Sequence, residues 1–164
     1  MRALLQRVSA AKVVVDGKVH NEIEKGLLIL LGIEFEDTEE DARWLCSKIA
    51  KMRLFPDQDK VMNLSVQEVG GEFLVISQFT LHASTKKGNR PSYYKASKPH
   101  HSEPLYEYFM EHLWMESDLP VKGGKFGADM KLHLVNDGPV TIWIDSKNKE
   151  YWPQISSTLI QIYR

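Results

Sequence analysis

The sequence predicts a single α+β domain. Three observations carry this reading. Strand-like segments crowd both ends of the chain, two stretches with helical apolar spacing lie between them, and 164 residues suit one domain with a sizeable core. Apolar residues make up 43% and charged residues 26%, a globular rather than a disordered mixture.

Residues 2–10 and 11–15 are rich in Leu, Val and Ala and read as strands. Asp16-Gly17, between Val13-Val14-Val15 and Lys18-Val19, is a hairpin signal. The run GLLILLGI over 26–33 fits a strand buried on both faces. Thr38 is placed to cap a helix, with Asp41 three residues on in a partial capping box. Ala42, Leu45, Ile49 and Met52 then recur at helical steps, and Pro56 helps to stop the element. A short strand is expected around Met62–Val66, and a strand over 72–81 with a polar interruption at Ser77-Gln78. Residues 82–101 read as a long loop. Ser102 is the expected cap of a second helix, with Pro104 in its first turn and Leu105, Phe109 and Leu113 as its stripe. Gly123, Gly124 and Gly127 mark a connection. Strands over 130–135 and 140–145 follow, separated by a turn at Asn136-Asp137-Gly138-Pro139.

Charge and composition exclude several classes. The formal net charge is −1, so no global field draws the chain toward nucleic acid or a membrane, and any anion site must be local. The longest apolar run, Leu27 to Leu31, falls far short of the roughly 20 residues a membrane helix needs. The first eleven residues lack the apolar core of a signal peptide, so the cytoplasm is the expected location. Cys46, the one cysteine, has no internal disulfide partner and reads as a small buried thiol. No pair among the six histidines has metal-ligand spacing, and neither a phosphate-loop nor a G-x-S-x-G motif occurs, so no metal or cofactor is expected.

Three segments remain as carriers of chemistry. Ser77-Gln78-Phe79-Thr80 puts polar groups at the end of an apolar strand. Either they are satisfied locally, or they face a cleft as donors to the oxyanion of an acyl-transfer transition state. His82, close to Thr80, is a conceivable base for it. Residues 73–102 contain no Asp or Glu, yet hold Lys86, Lys87, Arg90, Lys95 and Lys98 with Tyr93 and Tyr94 among them. This is either a solvated basic loop or a phosphate-contacting one with bases stacked on tyrosines. Gly138-Pro139 is a turn signal, and an ordinary trans turn is its plain reading.

Taken in order, these segments resemble the D-aminoacyl-tRNA deacylase family. The likeness begins at Met1-Arg2-Ala3-Leu4-Leu5-Gln6-Arg7-Val8 and continues through Ser77-Gln78-Phe79-Thr80-Leu81 and Lys87-Gly88-Asn89-Arg90-Pro91-Ser92. Phe126-Gly127-Ala128-Asp129-Met130 and Asn136-Asp137-Gly138-Pro139-Val140-Thr141 complete it, so it spans residues 1 to about 146. Residues 147–164 are left as a C-terminal extension that packs on the domain or on a partner.

The resemblance implies a three-layer β/β/α fold with mixed sheets and a homodimer with active sites at the interface. It implies hydrolysis of the ester between a D-amino acid, or mischarged glycine, and the terminal adenosine of tRNA. Aminoacyl-tRNA is then the partner, with no DNA and no membrane. Ser77, Gln78, Phe79 and Thr80 become the catalytic segment. Gly138 and Pro139, joined by a cis bond, become a chiral filter reaching into the partner's pocket, with Arg7 and Met130 supporting that loop. Lys86, Lys87 and Arg90 become tRNA contacts. Thr80 is either a nucleophile or structural, with the tRNA 2′-hydroxyl assisting hydrolysis; the second is favoured because no firm base for Thr80 is visible. His82 departs from the family, which commonly has Tyr there. The rivals are a non-catalytic tRNA-binding module, an editing relative with relaxed chirality, against which Phe79 argues, and a generic hydrolase or structural domain.

Overall fold

The computed structural model describes residues 1–149, so the question of how most of the 147–164 extension packs falls outside the described residues. β1 (Arg2–Val15) is the spine of the fold. Along one edge it pairs first with β3 (Gly26–Gly32) through residues 2–8, then with β2 (Lys18–Ile23) through residues 11–15. Along the other edge it pairs with β8 (Lys131–Asp145) over nearly its full length. Beyond β3 lie β6 (Glu72–Ser77) and β7 (Val121–Gly123), both parallel to their neighbours. The sheet curls on itself. Asn21 Nδ2 of β2 donates to the Gly123 carbonyl at 2.7 Å, and Lys122 Nζ donates to the Glu22 carbonyl at 2.8 Å, drawing the two ends together.

The two-residue period of a strand explains the layers. Leu27, Ile29 and Leu31 of β3, with Phe73 and Val75 of β6, face one core; Leu28, Leu74 and Ile76 face another. The first core is closed by α1 (Glu39–Lys51) and α2 (Pro99–Ser117), which bring Leu45, Ile49, Phe109 and Leu113. The second lies inside the curl, with Val8, Val13 and Ile23. β1 changes sides midway: Ala3 and Leu5 join the helical core, while Ala11, Val13 and Val15 join the inner one. The switch falls at the exposed pair Ser9 and Ala10, beside a register shift against β8. Two sheet layers and one helical layer result, as the resemblance implies.

α1 begins as the sequence suggests. Thr38 is its extended N-cap, and Asp41 reaches back to the Thr38 N–H at 2.9 Å. The same carboxylate accepts from Ser146 Oγ at 2.7 Å and Lys147 Nζ at 2.9 Å, tying the helix start to the segment after β8. Burial alone would raise the Asp41 carboxyl, yet the hydrogen bonds from Lys147, Ser146 and the Thr38 backbone prevail and hold it down at about 2. Met1 is buried there too, its ammonium bonded to Asp37 and to Ser146 Oγ.

Four local expectations change. Residues 136–139 are not a hairpin turn. β8 runs unbroken through them, because both of its halves pair with β1, with a bulge opposite Arg7 and a further register shift between Val8 and Ala10 separating the two registers. The 72–81 strand ends at Ser77, and residues Phe79–His82 form a 3-10 turn. α2 starts at Pro99 on an extended Lys98; Ser102 lies in its first turn and donates to the Lys98 carbonyl at 3.0 Å. β7 and the small antiparallel pair β4 (Arg53–Pro56) and β5 (Met62–Ser65) add strands, of which only the Met62 segment is visible in sequence.

Candidate active site

The chain leaves β6 at Ser77 because a glycine on the neighbouring strand allows it to turn. A Cβ at Gly32 would lie 3.0 Å from the Gln78 carbonyl oxygen, Leu81 Cβ and His82 Cδ2. The turn therefore sits on bare backbone. Its entry is fixed by the Gln78 N–H donating to the Leu31 carbonyl at 2.7 Å. No described residue accepts a hydrogen bond from the Phe79 backbone N–H.

Beside this turn lies a cavity of about 470 Å³, bordered by Ser77, Gln78 and Phe79 on one side and by Phe126, Ala128 and Met130 on another. The start of α2 supplies a third wall, including Ser97 and Ser102. None of the residues lining it is Asp, Glu, Lys, Arg or His. Its polar equipment is therefore hydroxyls, the Gln78 amide and main-chain groups. Donors held fixed by the fold suit a developing oxyanion, because they need no reorganisation as charge appears.

Thr80 does not line this cavity, and its Oγ1 accepts a hydrogen bond from Gln78 Nε2. His82 is not its base. The imidazole is buried, neither ring nitrogen has a hydrogen-bond partner among the described residues, and Glu34 Oε2 lies 3.9 Å from Nδ1. Desolvation pushes the His82 pKa below its usual value and, with the Arg2 charge, outweighs the nearby Gly32 backbone and Glu34 carboxylate, which act the other way. The ring is a neutral filler behind the turn.

Met130 reaches the cavity from the start of β8, held close because Gly124 has no side chain: a Cβ there would lie 2.7 Å from Met130 Sδ. Arg7, Gly138 and Pro139 form a separate cluster on the β8 bulge, away from the cavity lining. The Gly138–Pro139 bond is cis. Arg7, buried, donates through Nη1 to the Leu54 carbonyl at 2.5 Å and through Nε to the Asp137 carbonyl at 3.1 Å. Asn136 Nδ2 donates to the Arg7 and Val140 carbonyls, both at 3.0 Å, and so closes the bulge at its base. Gly138 has φ +125°, and a Cβ on it would stand 2.8 Å from Arg7 Nη2 and from Val140 Cγ2. Backbone and arginine thus fit together only with glycine present.

Lys86, Lys87 and Arg90 are exposed on the loop before α2, outside the cavity lining. The loop is pinched by paired backbone bonds between Ser84 and Ser92. It returns to the cavity rim through Tyr93, whose ring meets Phe79 edge-on at 5.1 Å. The sequence assigned no part in the site to Phe126, Ala128, Ser97 and Ser102. The first two were visible as part of a motif, whereas the serines carry no local signal that they face a cavity.

A small α+β domain with a cavity free of ionisable side chains beside an exposed basic loop is the class that fold and site define. Residues 4–145 match the family described as D-Tyr-tRNA(Tyr) deacylase. The D-aminoacyl-tRNA deacylase of Parabacteroides distasonis is 59% identical over 150 residues, covering 92% of this chain and all of that protein. The protein of the same name from Christiangramia forsetii is 60% identical over 149 residues, with 91% and 99% covered. The chain belongs to the D-aminoacyl-tRNA deacylase family. Among solved structures, one titled c-Myc DNA Unwinding Element Binding Protein superposes with a TM-score of 0.82 at 40% identity, covering 88% of this chain and 98% of that one. A second, titled as a probable eukaryotic D-amino acid tRNA deacylase, superposes with a TM-score of 0.74 over 87% and 97% of the two chains. At 17% identity it speaks to the fold alone.

Proposed function

We propose that this protein hydrolyses the ester joining a D-amino acid, or mischarged glycine, to the 3′-terminal adenosine of tRNA, and leaves L-aminoacyl-tRNA intact. The observation that carries this is the cavity without ionisable side chains, bordered by Ser77, Gln78 and Phe79, in a chain matched to the family over residues 4–145. Water attacks the ester carbonyl, the Phe79 N–H and neighbouring donors hold the oxyanion, and the 3′-oxygen leaves with a proton. With Thr80 Oγ1 occupied by Gln78 and no base beside it, the 2′-hydroxyl of the terminal ribose is the better assistant. No cofactor is required.

Selection against L substrates falls to Gly138 and Pro139. Both lie outside the cavity of their own chain, so they act on a second copy, and the working form is a homodimer with its sites at the interface. Exposed apolar residues along β8 support this: Leu134, Val135 and Trp143 are all exposed, Val135 at 58%. Lys86, Lys87 and Arg90 contact tRNA phosphates, which makes binding salt-dependent. No described helix is long and apolar enough to cross a membrane. The setting proposed is the cytoplasm.

The test is deacylation of matched D-, L- and glycyl-tRNA at catalytic enzyme concentration. D-aminoacyl and glycyl ends should be released and L-aminoacyl ends retained. Intact D-aminoacyl ends would overturn the proposal.

A further inference from the structure

The turn that presents Phe79 is anchored at its entry by the Gln78 N–H on Leu31. Its far end is held by a side chain from another element. Arg2 Nη1 donates to the Leu81 carbonyl at 2.9 Å. The same guanidinium donates through Nε to Asp145 Oδ2, also at 2.9 Å, and its carbon lies 5.6 Å from the centroid of the Trp143 ring. Arg2 and Asp145 are register partners on β1 and β8, so the guanidinium is fixed by the sheet before it touches the turn. The Asp145 carboxyl is tuned to this. Burial would raise it, but hydrogen bonds from the Lys147 backbone and from Arg2 bring it below the usual carboxylate range, so it stays ionised opposite Arg2.

We propose that Arg2 is a positioning residue for deacylation: it clamps the Leu81 carbonyl to the β1–β8 pair and so fixes the direction of the Phe79 backbone N–H at the cavity. The inference rests on the deacylase reading above. Its physical basis is the tolerance of an oxyanion site. A short 3-10 turn has few internal bonds, here Leu81 N–H to the Gln78 carbonyl at 3.2 Å and Ala83 N–H to the Thr80 carbonyl at 3.0 Å. Catalytic donors must be held within about 0.5 Å of the productive geometry, so such a turn needs outside support. Gly32 gives it a floor and Leu31 an entry bond. Arg2 gives the third point, the number needed to fix an orientation. A planar guanidinium bonds two acceptors in fixed directions, which an ammonium cannot do. Arg2 lines no part of the cavity and acts only through the turn.

The test compares the full-length wild type with Arg2→Met, Arg2→Lys and Arg2→Ala on D-aminoacyl-tRNA. In Arg2→Met, kcat should fall about tenfold or more, equivalent to about 1.4 kcal/mol of transition-state stabilisation, while KM changes less than about twofold. Arg2→Lys should recover little. Guanidinium ion at millimolar concentration should raise kcat of Arg2→Ala but not of the wild type. Amide exchange at Gln78 and Leu81 should quicken in Arg2→Met while core amides of β3 and β6 stay protected. Unchanged kcat and unchanged exchange at the turn would overturn the inference. So would a joint loss of kcat, affinity and global protection without guanidinium rescue, which is the mark of a merely structural residue. Should the wild type itself leave D-aminoacyl ends intact, the deacylase reading fails, and exchange at Gln78 and Leu81 still decides whether Arg2 holds the turn.

Discussion

Thr80 is the residue that invites a nucleophilic mechanism, and its surroundings argue against one. An attacking hydroxyl needs a base within hydrogen-bond reach, with that base oriented by a third group. The partner of Thr80 is the amide of Gln78, and the nearby imidazole of His82 is buried without bonds to it. Thr80→Ala should therefore retain turnover within about tenfold, whereas a tRNA ending in 2′-deoxyadenosine should lose most of it. Rapid-quench measurement of both decides the matter, and near-complete loss in Thr80→Ala would restore the nucleophile. The sequence already showed Ser77 and Gln78 as polar residues out of place at the end of a strand. It could not show that Thr80 turns away from the cavity, because that depends on the chain leaving the strand period at Ser77. The cause, a bare Gly32 on another strand, lies 45 positions upstream.

At the scale of elements, local signals were readable and long-range pairing was not. Thr38 and Asp41 announced the start of α1, and Asp16-Gly17 the first hairpin, because capping and tight turns are settled within four residues. Asn136 to Pro139 misled for the same reason. Gly-Pro is a turn signal locally, but β1 offers partners to both halves of β8, and the chain bulges instead of reversing. Asp41 shows how a cap acquires a tertiary role. Its depressed pKa means that the folded chain binds fewer protons there than the unfolded chain. Its contribution is thus fully present above the ordinary value of 3.8 and is lost as pH falls toward 2. Asp41→Asn should lower stability by about 2 kcal/mol at neutral pH. In urea titrations at several pH values, that difference should shrink below pH 4. A constant difference would mean that the carboxylate charge is not what stabilises the helix start.

For the whole molecule, the layered arrangement follows from strand alternation: near-continuous apolar runs in β3 and β6 must serve two cores at once. β8 is covered only in part, by Val140, Ile142 and Ile144 on the helical core and Leu132 on the inner one. Most of its residues are exposed or half-exposed, although it is the longest strand described. Exposed apolar side chains along this strand, Leu134, Val135 and Trp143, are natural contacts for a second copy. Sedimentation should give a dimer for the wild type, and Leu134→Lys with Val135→Glu should give a folded monomer with deacylation reduced at least about a hundredfold. A monomeric wild type with full activity would remove the interface from the mechanism. No sequence pattern announces that surface, since its apolar residues are indistinguishable from those of a core strand.

The separation of the Arg7-clamped bulge from the cavity has one more consequence. If each centre borrows its selector from a neighbour, two differently damaged polypeptides can repair one another. A copy crippled at Gln78 and a copy crippled at Gly138, each defective when paired with itself, would yield one intact centre in every mixed pair. Co-expressing the two would then restore intact, chirally selective centres to about a quarter of the normal number, since about half of randomly assorted pairs are mixed and each holds one sound centre of two.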